Sequence, residues 1–398
     1  MRFRSISSLL LALAGLLSLA GCDRGVTSTA PSAEPSASRP QAELLAAAAD
    51  PAVTEGAKAF AKYCALCHAK DATGYAADNA PSLVSPTFLE SATDELIAAG
   101  IRMGRPGTAM AAYGQVRGGP LSESEIQNLV RFLRSKGPAP KALPPGGEGD
   151  AARGKEVFEK NCQTCHGNAA ARGNAVNLQN PELLAAASPA FLRYAVVHGR
   201  PPTPMPSFQG RLSEGEIGDV VSFLWSFKPS LPTPEVKKTE VPSDLPVVIN
   251  PKGKQAKFTL REGRYVSVEQ VKDALAAKQR IVIIDARAAS DWIQYHIPGA
   301  ISVPYHDRDK LERVPNDGTW VVAYCACPHH ASGEVVDALR AKNYANTAVM
   351  DEGILFWKDH GYPLTGEAMK APGAPSAAPS AGKPGKPAAP APKPKTAP

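Results

Sequence analysis

Two copies of a five-residue motif, Cys-x-x-Cys-His, constrain this chain more than any other feature. The copies are Cys64–His68 and Cys162–His166. The motif is the attachment signature of a c-type haem, in which two thiols bind the vinyl groups and the adjacent imidazole binds the iron. The alternatives are a disulfide pair, or a zinc site, which would need its two ligand clusters close together. The motifs predict two covalently bound haem c groups. The predicted attachment residues are Cys64, Cys67, Cys162 and Cys165, and the predicted proximal iron ligands are His68 and His166.

The residues after each motif also repeat. Ala80–Met110 aligns without a gap with Ala175–Met205, at a constant offset of 95. The alignment pairs Met110 with Met205, whereas Met103 is paired with His198. Farther on, both copies contain a Ser-x-x-Glu capping box before apolar positions that lie on one helical face, which predicts a final helix in each copy. The repeat therefore indicates two small all-helical modules.

Both modules resemble class I cytochrome c domains, especially the small domains of cbb3-oxidase subunits and bacterial dihaem cytochromes. In that family a methionine before the last helix is the second iron ligand, which implies Met110 and Met205 as axial ligands. Met103, a five-coordinate first haem and a His198 ligand are the alternatives. Ligation by His and Met suits one-electron transfer and leaves no open coordination position for a substrate. The modules are therefore expected to carry electrons.

The start of the chain is typical of an export signal. Arg2 and Arg4 precede an apolar run over Leu9–Ala20 that is shorter than an ordinary transmembrane helix. The run ends in Leu19-Ala20-Gly21-Cys22, which resembles a bacterial lipobox; the alternative is a plain signal peptide. We expect a lipid on Cys22 that anchors the protein to a membrane, on its extracytoplasmic side.

Composition explains the net charge of +6. Arg2 and Arg4 leave with the signal, and five lysines lie in a C-terminal tail of Ala, Pro, Gly, Ser and Lys. The folded part is close to neutral, so nothing supports nucleic-acid binding. Two cysteines remain outside the haem motifs and the lipobox, Cys325 and Cys327, so no structural disulfide framework is expected.

The third region has an α/β pattern. Ile281–Ile284, Trp320–Tyr324 and Thr347–Met350 are short β-branched or aromatic runs, and an amphipathic helix is predicted over Val335–Leu339. Strands that alternate with helices predict a doubly wound parallel sheet, in which ligands bind at the carboxyl ends of the strands. Cys325 lies at such an end.

The segments Asp285-x-Arg287, His296–Ala300, Tyr324-Cys325 and Asp351–Trp357 resemble a rhodanese domain. The resemblance implies that Cys325 carries sulfur as a persulfide, held by main-chain N–H groups of its loop, with rhodanese-type sulfurtransferase activity. The loop Cys325–His330 has no Arg or Lys for an anionic donor such as thiosulfate. Asp285, Arg287 and His296 are expected to be structural. Further candidates in the loop are Cys327, as a resolving thiol, sulfur carrier or simple loop residue, and His329 and His330, as anion or metal ligands.

The predicted fold class is a multidomain protein, two all-α cytochrome c domains followed by an α/β doubly wound rhodanese-like domain. The predicted boundaries are a signal peptide at 1–21, a tether at 22–51, cytochrome modules at 52–137 and 150–228 with a linker at 138–149, a Pro-rich linker at 229–261, the rhodanese-like domain at 262–366 and a disordered tail at 367–398.

Two functions remain open. In one, the haems move electrons while Cys325 carries sulfane sulfur from a sulfur-compound donor. In the other, the chain only transfers electrons, and its third domain serves docking or sensing. The expected redox partners are other cytochromes, a quinol-oxidising complex, or a terminal oxidase or reductase.

Overall fold

The computed structural model describes residues 50–168, 171–230, 240–326 and 329–370. The predicted signal peptide, Cys22, almost the whole tether, Cys327 and the tail beyond residue 370 lie outside the described residues. Across the described ranges, no helix is both long enough and apolar enough to cross a lipid bilayer.

The first module is all-helical. Helix α1 begins at Pro51. Its N-cap residue is Asp50, whose carboxylate accepts a hydrogen bond from the Ala52 amide (2.9 Å). The final helix begins with the predicted capping box of Ser122 and Glu125, which is confirmed. The helices are α1 (Pro51–Tyr63), α2 (Ala65–His68), α3 (Pro86–Ser91), α4 (Asp94–Met103) and α5 (Glu123–Arg134).

The second module repeats this arrangement. Its capping box of Ser213 and Glu216 is also confirmed. In each module the first and last helices cross where a glycine allows close approach: a Cβ on Gly154 would lie 2.0 Å from the main-chain oxygen of Asp219. Phe158 and Phe223 pack beside this crossing, with ring centroids 5.4 Å apart. The helices are α6 (Ala151–Asn161), α7 (Gln163–His166), α8 (Pro181–Ala186), α9 (Pro189–His198) and α10 (Glu214–Trp225).

The third region contains a five-stranded sheet in the order β1-β5-β4-β2-β3, and every strand pair is parallel. Four of the five strands, all except β1, are buried along their whole length, as expected for a sheet covered by helices on both faces. The strands are β1 (Tyr265–Val266), β2 (Val282–Asp285), β3 (Ile301–Ser302), β4 (Val321–Tyr324) and β5 (Thr347–Met350); the helices are α11 (Val268–Ala276), α12 (Ala289–Gln294), α13 (His330–Ala341) and α14 (Gly353–Asp359). The predicted fold class is confirmed.

A buried ion pair ties β2 to the chain that follows it. Arg287 Nη2 donates to Asp285 Oδ2 (2.6 Å) and also to the main-chain oxygen of Tyr295 (2.6 Å). The Tyr324 hydroxyl donates to the same Asp285 oxygen (2.9 Å). These contacts join β2, β4 and the chain after α12, in agreement with the structural role expected for Asp285 and Arg287.

The α/β domain begins earlier than residue 262. Ile249 pairs with Ile281 through a main-chain hydrogen bond of 2.8 Å, and Ala256 is fully buried in the core of the sheet. The Pro-rich composition predicted a linker here. The short apolar segment Val247–Ile249 within it instead packs on the edge of the domain.

Candidate haem-binding and sulfur-carrying sites

The first Cys-x-x-Cys-His motif begins where α1 ends. Cys64 closes α1, and α2 forms the short turn that carries Cys67 and His68. His68 Nδ1 lies 2.9 Å from the main-chain oxygen of Pro81, so Nε2 is the nitrogen left for a ligand bond. Burial lowers the pKa of His68. The imidazole is therefore neutral at pH 7, which is the form that binds a metal.

The second motif has the same geometry. His166 Nδ1 lies 2.6 Å from the main-chain oxygen of Val176, which is the repeat equivalent of Pro81. Burial lowers the pKa of His166 as well. The residue after each histidine has a positive φ, 65° at Ala69 and 68° at Gly167. The two motifs are thus followed by the same backbone turn, although the residue at the turn differs, and both imidazoles are oriented in the same way.

Met110 and Met205 occupy equivalent loops. The amide of Arg105 donates to the Met110 main-chain oxygen (2.8 Å), and the amide of Arg200 donates to the Met205 oxygen (3.1 Å). Each loop passes close to a glycine, Gly104 or Gly199. A Cβ on either glycine would lie 2.7 Å from the main-chain oxygen of the methionine in its loop. The rival residues lie elsewhere: Met103 is in the last turn of α4, and His198 ends α9 with its ring 4.1 Å from that of Tyr194.

The residues of both modules fit a covalently bound haem. Each module offers two thiols and a neutral imidazole, the donor set of a c-type haem. Arg200 Nη2 is buried and has no hydrogen-bond partner among the residues that the structure describes. Burial lowers the pKa of both Arg105 and Arg200 to about 10. Such half-paired guanidinium groups suit the carboxylates of a haem. A haem held there supplies reversible one-electron transfer.

The two modules contact each other through equivalent residues. Ser85 Oγ donates to the Pro201 main-chain oxygen (2.8 Å), and Asn180 Nδ2 donates to the Pro106 oxygen (3.0 Å). Ser85 and Asn180 are 95 positions apart, as are Pro106 and Pro201. The contact is therefore reciprocal. Sequence reasoning missed it, although both donors are the N-cap residues of short helices, α3 and α8.

Cys325 directly follows β4 and is 2% exposed. Its Sγ lies 3.3 Å from Ser332 Oγ in the first turns of α13. Its main-chain oxygen accepts a hydrogen bond from the amide of Ile354 (2.9 Å). The thiol therefore lies between the carboxyl edge of the sheet and the start of a helix. Ser332 is a site residue that sequence reasoning did not find.

His329 is turned toward an acidic partner. It has a φ of 83°, and its Nε2 lies 2.6 Å from Asp351 Oδ1. Its ring is 4.2 Å from that of Tyr265. Burial opposes the charge of Asp351, but hydrogen bonds from Arg261 and His329 hold the pKa of this carboxyl below its ordinary value. His330 begins α13. The expectation for Cys327 falls outside the described residues.

Burial determines the protonation of the thiols in the first haem motif. Burial, the charge of Asp78 and the charge of Cys325 together raise the pKa of Cys67 to about 12. Burial and the neighbouring Cys67 raise the pKa of Cys64 to about 12. The thiols of Cys64 and Cys67 are thus protonated at neutral pH.

Comparisons with known proteins agree with this arrangement. The profile of the family described as cytochrome c oxidase, cbb3-type, subunit III matches residues 51–133 and 149–224, and that of the rhodanese-like domain matches residues 267–360. The chain is 32% identical over 183 residues to the cbb3-type cytochrome c oxidase subunit FixP of Bradyrhizobium sp. (strain ORS 278). That match covers 43% of this chain and 60% of FixP.

Shorter matches correspond to single domains. Cytochrome c6 of Synechococcus elongatus is 33% identical over 78 residues, which are 19% of this chain and 87% of the relative. A solved rhodanese-like domain from Anabaena sp. is 22% identical, with a TM-score of 0.26, and the match covers 28% of this chain and 86% of that one. The chain therefore contains a cytochrome c region of the cbb3 type in two segments, of the kind that transfers electrons and binds haem c covalently, followed by a rhodanese-like domain.

Proposed function

We propose that this chain is a dihaem electron carrier, exported and anchored to a membrane on its extracytoplasmic side by a lipid on Cys22. One observation supports the haem count above all: the imidazoles of His68 and His166 are held by equivalent carbonyl groups, 2.9 and 2.6 Å from Nδ1. In this proposal Met110 and Met205 are the second iron ligands. The relatives are named as subunits of a cbb3-type oxidase, which suggests respiratory redox partners for this chain.

The haem count is tested on the exported holoprotein. Its intact mass and its iron content should correspond to two haem c groups. Replacing Cys67 and His68 by Ser and Ala should remove one haem, and the same change at Cys165 and His166 should remove the other. A wild-type protein with one haem contradicts the proposal. Lipidation is tested by Cys22→Ser, which should release the protein from the membrane fraction.

In this proposal the α/β domain carries sulfane sulfur on Cys325. The Cys325 thiolate can attack the sulfane sulfur of a donor; the donor's own bond to that sulfur breaks, the rest of the donor leaves with the electron pair, and Cys325 becomes an anionic persulfide. Cyanide is a suitable acceptor for the assay: its carbon attacks the outer sulfur, the S–S bond breaks, and thiocyanate and the Cys325 thiolate are the products. Because Cys327 is two positions after Cys325 in the sequence, Cys325→Ser and Cys327→Ser are compared.

The assay has two clear results. Thiocyanate formation and a mass increase of one sulfur on the Cys325 peptide, both lost in Cys325→Ser, would support sulfur transfer. No turnover with thiosulfate, polysulfide or a persulfide donor, and no added sulfur, would favour the second function, docking or sensing. The 2% exposure of Cys325 favours that second function, because a donor must reach the thiol.

A further inference from the structure

The α/β domain lies directly on the first cytochrome module. The Tyr305 hydroxyl donates a 2.6 Å hydrogen bond to the main-chain oxygen of Tyr63, the last residue before the first haem motif. On the methionine-loop side, Ser290 Oγ donates to the main-chain oxygen of Ala112 (2.5 Å). Ala288 is buried within the apolar core of the cytochrome modules. The domain thus contacts the motif and the methionine loop of one module together.

The apolar cluster that contains Cys325 makes part of this contact. Leu66, inside the first motif, and Ala109, beside Met110, pack against the apolar cluster that contains Cys325. From the second module, Arg172 reaches the α/β domain through a solvent-accessible ion pair with Asp359 (3.2 Å). The apolar cluster that contains Cys325 therefore extends to the first haem motif.

Aromatic side chains fill the rest of this contact. The ring of His306 lies 4.8 Å from Tyr63, 6.3 Å from Tyr113 and 5.1 Å from Tyr305, measured between centroids. Both of its ring nitrogens are buried and lack a hydrogen-bond partner within the described part of the chain. Burial and the charge of Lys62 lower the pKa of His306 to about 4. The ring is therefore neutral at pH 7, and this part of the contact has low polarity.

We propose that the rhodanese-like domain is built onto the first cytochrome module so that the charge state of Cys325 tunes the reduction potential of the first haem and leaves the second unaffected. The inference rests on the proposed function in one respect, that the first module holds a haem. It does not need Cys325 to be an active sulfur carrier.

The physical basis is electrostatic. Charges interact more strongly across a buried, weakly polar contact than through water. A negative charge at Cys325, such as a thiolate or a persulfide, favours the oxidised and more positive form of a nearby haem. Its midpoint potential then falls, because potentials depend on net charge and solvent exposure. The midpoint potential of the first haem would then depend on whether Cys325 carries a charged sulfur.

The test uses a fixed charge in the full-length holoprotein. Cys325→Asp places a carboxylate at this position, and Cys325→Asn is its neutral match in size. Redox titrations followed by haem absorbance at pH 7 and pH 9 compare the two. We expect Cys325→Asp to have the lower midpoint potential at one haem and the same potential at the other. If the two variants have the same midpoint potential at each haem, the inference is overturned.

The affected haem is identified with Met205→His, which gives the second haem a different absorbance and potential. In this background the Asp and Asn variants should differ at the haem that kept its original spectrum. A difference at the altered haem would overturn the inference.

The interface itself is tested by removing its hydrogen bonds. Tyr305→Phe combined with Ser290→Ala should reduce the difference between the Asp and Asn variants, and should speed alkylation of Cys325 when that residue is intact. Tyr344→Phe is the matched control, since Tyr344 donates to the Val314 main-chain oxygen (2.5 Å) within the α/β domain. Equal alkylation rates in the control and the double variant would contradict the proposed contact.

The two proposals fail in different ways. A holoprotein without haem in the first module overturns both. Two haems with no response to Cys325→Asp overturn the inference alone. A Cys325 that never accepts sulfur overturns the sulfur-carrier function, while the comparison of Asp with Asn still stands.

Discussion

Arg117 and Glu182 form an ion pair of 3.0 Å between the two cytochrome domains, with side chains only 12% and 7% exposed. Removing one partner of a buried pair leaves the other charge without compensation, which costs about 3–5 kcal/mol. Glu182→Gln should therefore lower the free energy of unfolding of the cytochrome domains by about this amount. Denaturant unfolding of the holoprotein, followed by haem absorbance, measures the change.

The control for this prediction is an exposed pair of similar length. Lys58 and Glu55 lie 2.7 Å apart, with side chains 69% and 57% exposed. Glu55→Gln should change the free energy of unfolding by about 0–1 kcal/mol. Equal effects of Glu55→Gln and Glu182→Gln would show that the buried pair contributes nothing to the packing of the two domains.

Gly154 should not tolerate a side chain. A Cβ would lie 2.0 Å from a main-chain oxygen of α10, so Gly154→Ala must separate α6 from α10, at about 1–3 kcal/mol or more. Gly215, near the start of α10, has room for a methyl group, because the nearest atom to a Cβ there would be Ser213 Oγ at 4.0 Å. Gly215→Ala should therefore be neutral or stabilising by about 0.5–1 kcal/mol. Thermal unfolding of both variants tests this prediction. A Gly154→Ala protein as stable as the wild type would contradict this helix crossing.

Met110 and Met103 should respond differently to substitution. If Met110 binds the first iron, Met110→Leu opens a coordination position, and the reduced protein should then bind carbon monoxide at one haem. The reduced Met103→Leu protein should not bind carbon monoxide. Absorbance spectra before and after addition of the gas give the result. Carbon monoxide binding by Met103→Leu, with none by Met110→Leu, would reverse the assignment.

Asp351 should make the stability of the α/β domain depend on pH. Its pKa is lowered in the folded state, so the unfolded chain takes up the proton first as pH falls. The stabilisation is therefore fully present above the ordinary aspartate pKa of about 3.9 and is lost as pH falls through the folded-state value.

The variant Asp351→Asn isolates this contribution. It should lower the free energy of unfolding by roughly 1 kcal/mol at pH 7, after allowance for solvent screening. This difference from wild type should shrink below about pH 4. Urea unfolding followed by tryptophan fluorescence measures both values. Asp273→Asn, at a carboxyl 71% exposed, is the control, and its difference from wild type should stay small at every pH. A cost for Asp351→Asn that is the same at pH 7 and pH 3 would contradict the assignment.

Local chemistry made much of the fold predictable. The Ser122 and Ser213 capping boxes marked the final helices, and the β-branched runs before Asp285 and Cys325 marked central strands, because each signal lies within a few neighbouring residues. The repeat paired Met110 with Met205, and the structure gives their loops equivalent hydrogen bonds.

Contacts between distant segments were not predictable in this way. Tyr305 and Tyr63 are 242 positions apart, and neither belongs to a motif. Ser332 follows Cys325 in an ordinary helical sequence, and only the fold brings their side chains together. The prolines and charges before residue 262 predict a linker there, because they surround a short apolar run. In the structure Ile249 of this run pairs with Ile281, the residue before β2.

The reciprocal contact of Ser85 with Pro201 and of Asn180 with Pro106 has the form of a homodimer interface made within one polypeptide. In a true homodimer every substitution appears twice, so the two halves must remain identical in structure and in surroundings. Here the two halves are encoded separately. One donor is a serine and the other an asparagine, and the third domain contacts one half through a hydrogen bond from Tyr305 and the other through an exposed ion pair of Arg172. Joining the halves in a single chain thus allows an approximately symmetric pair to have asymmetric neighbours.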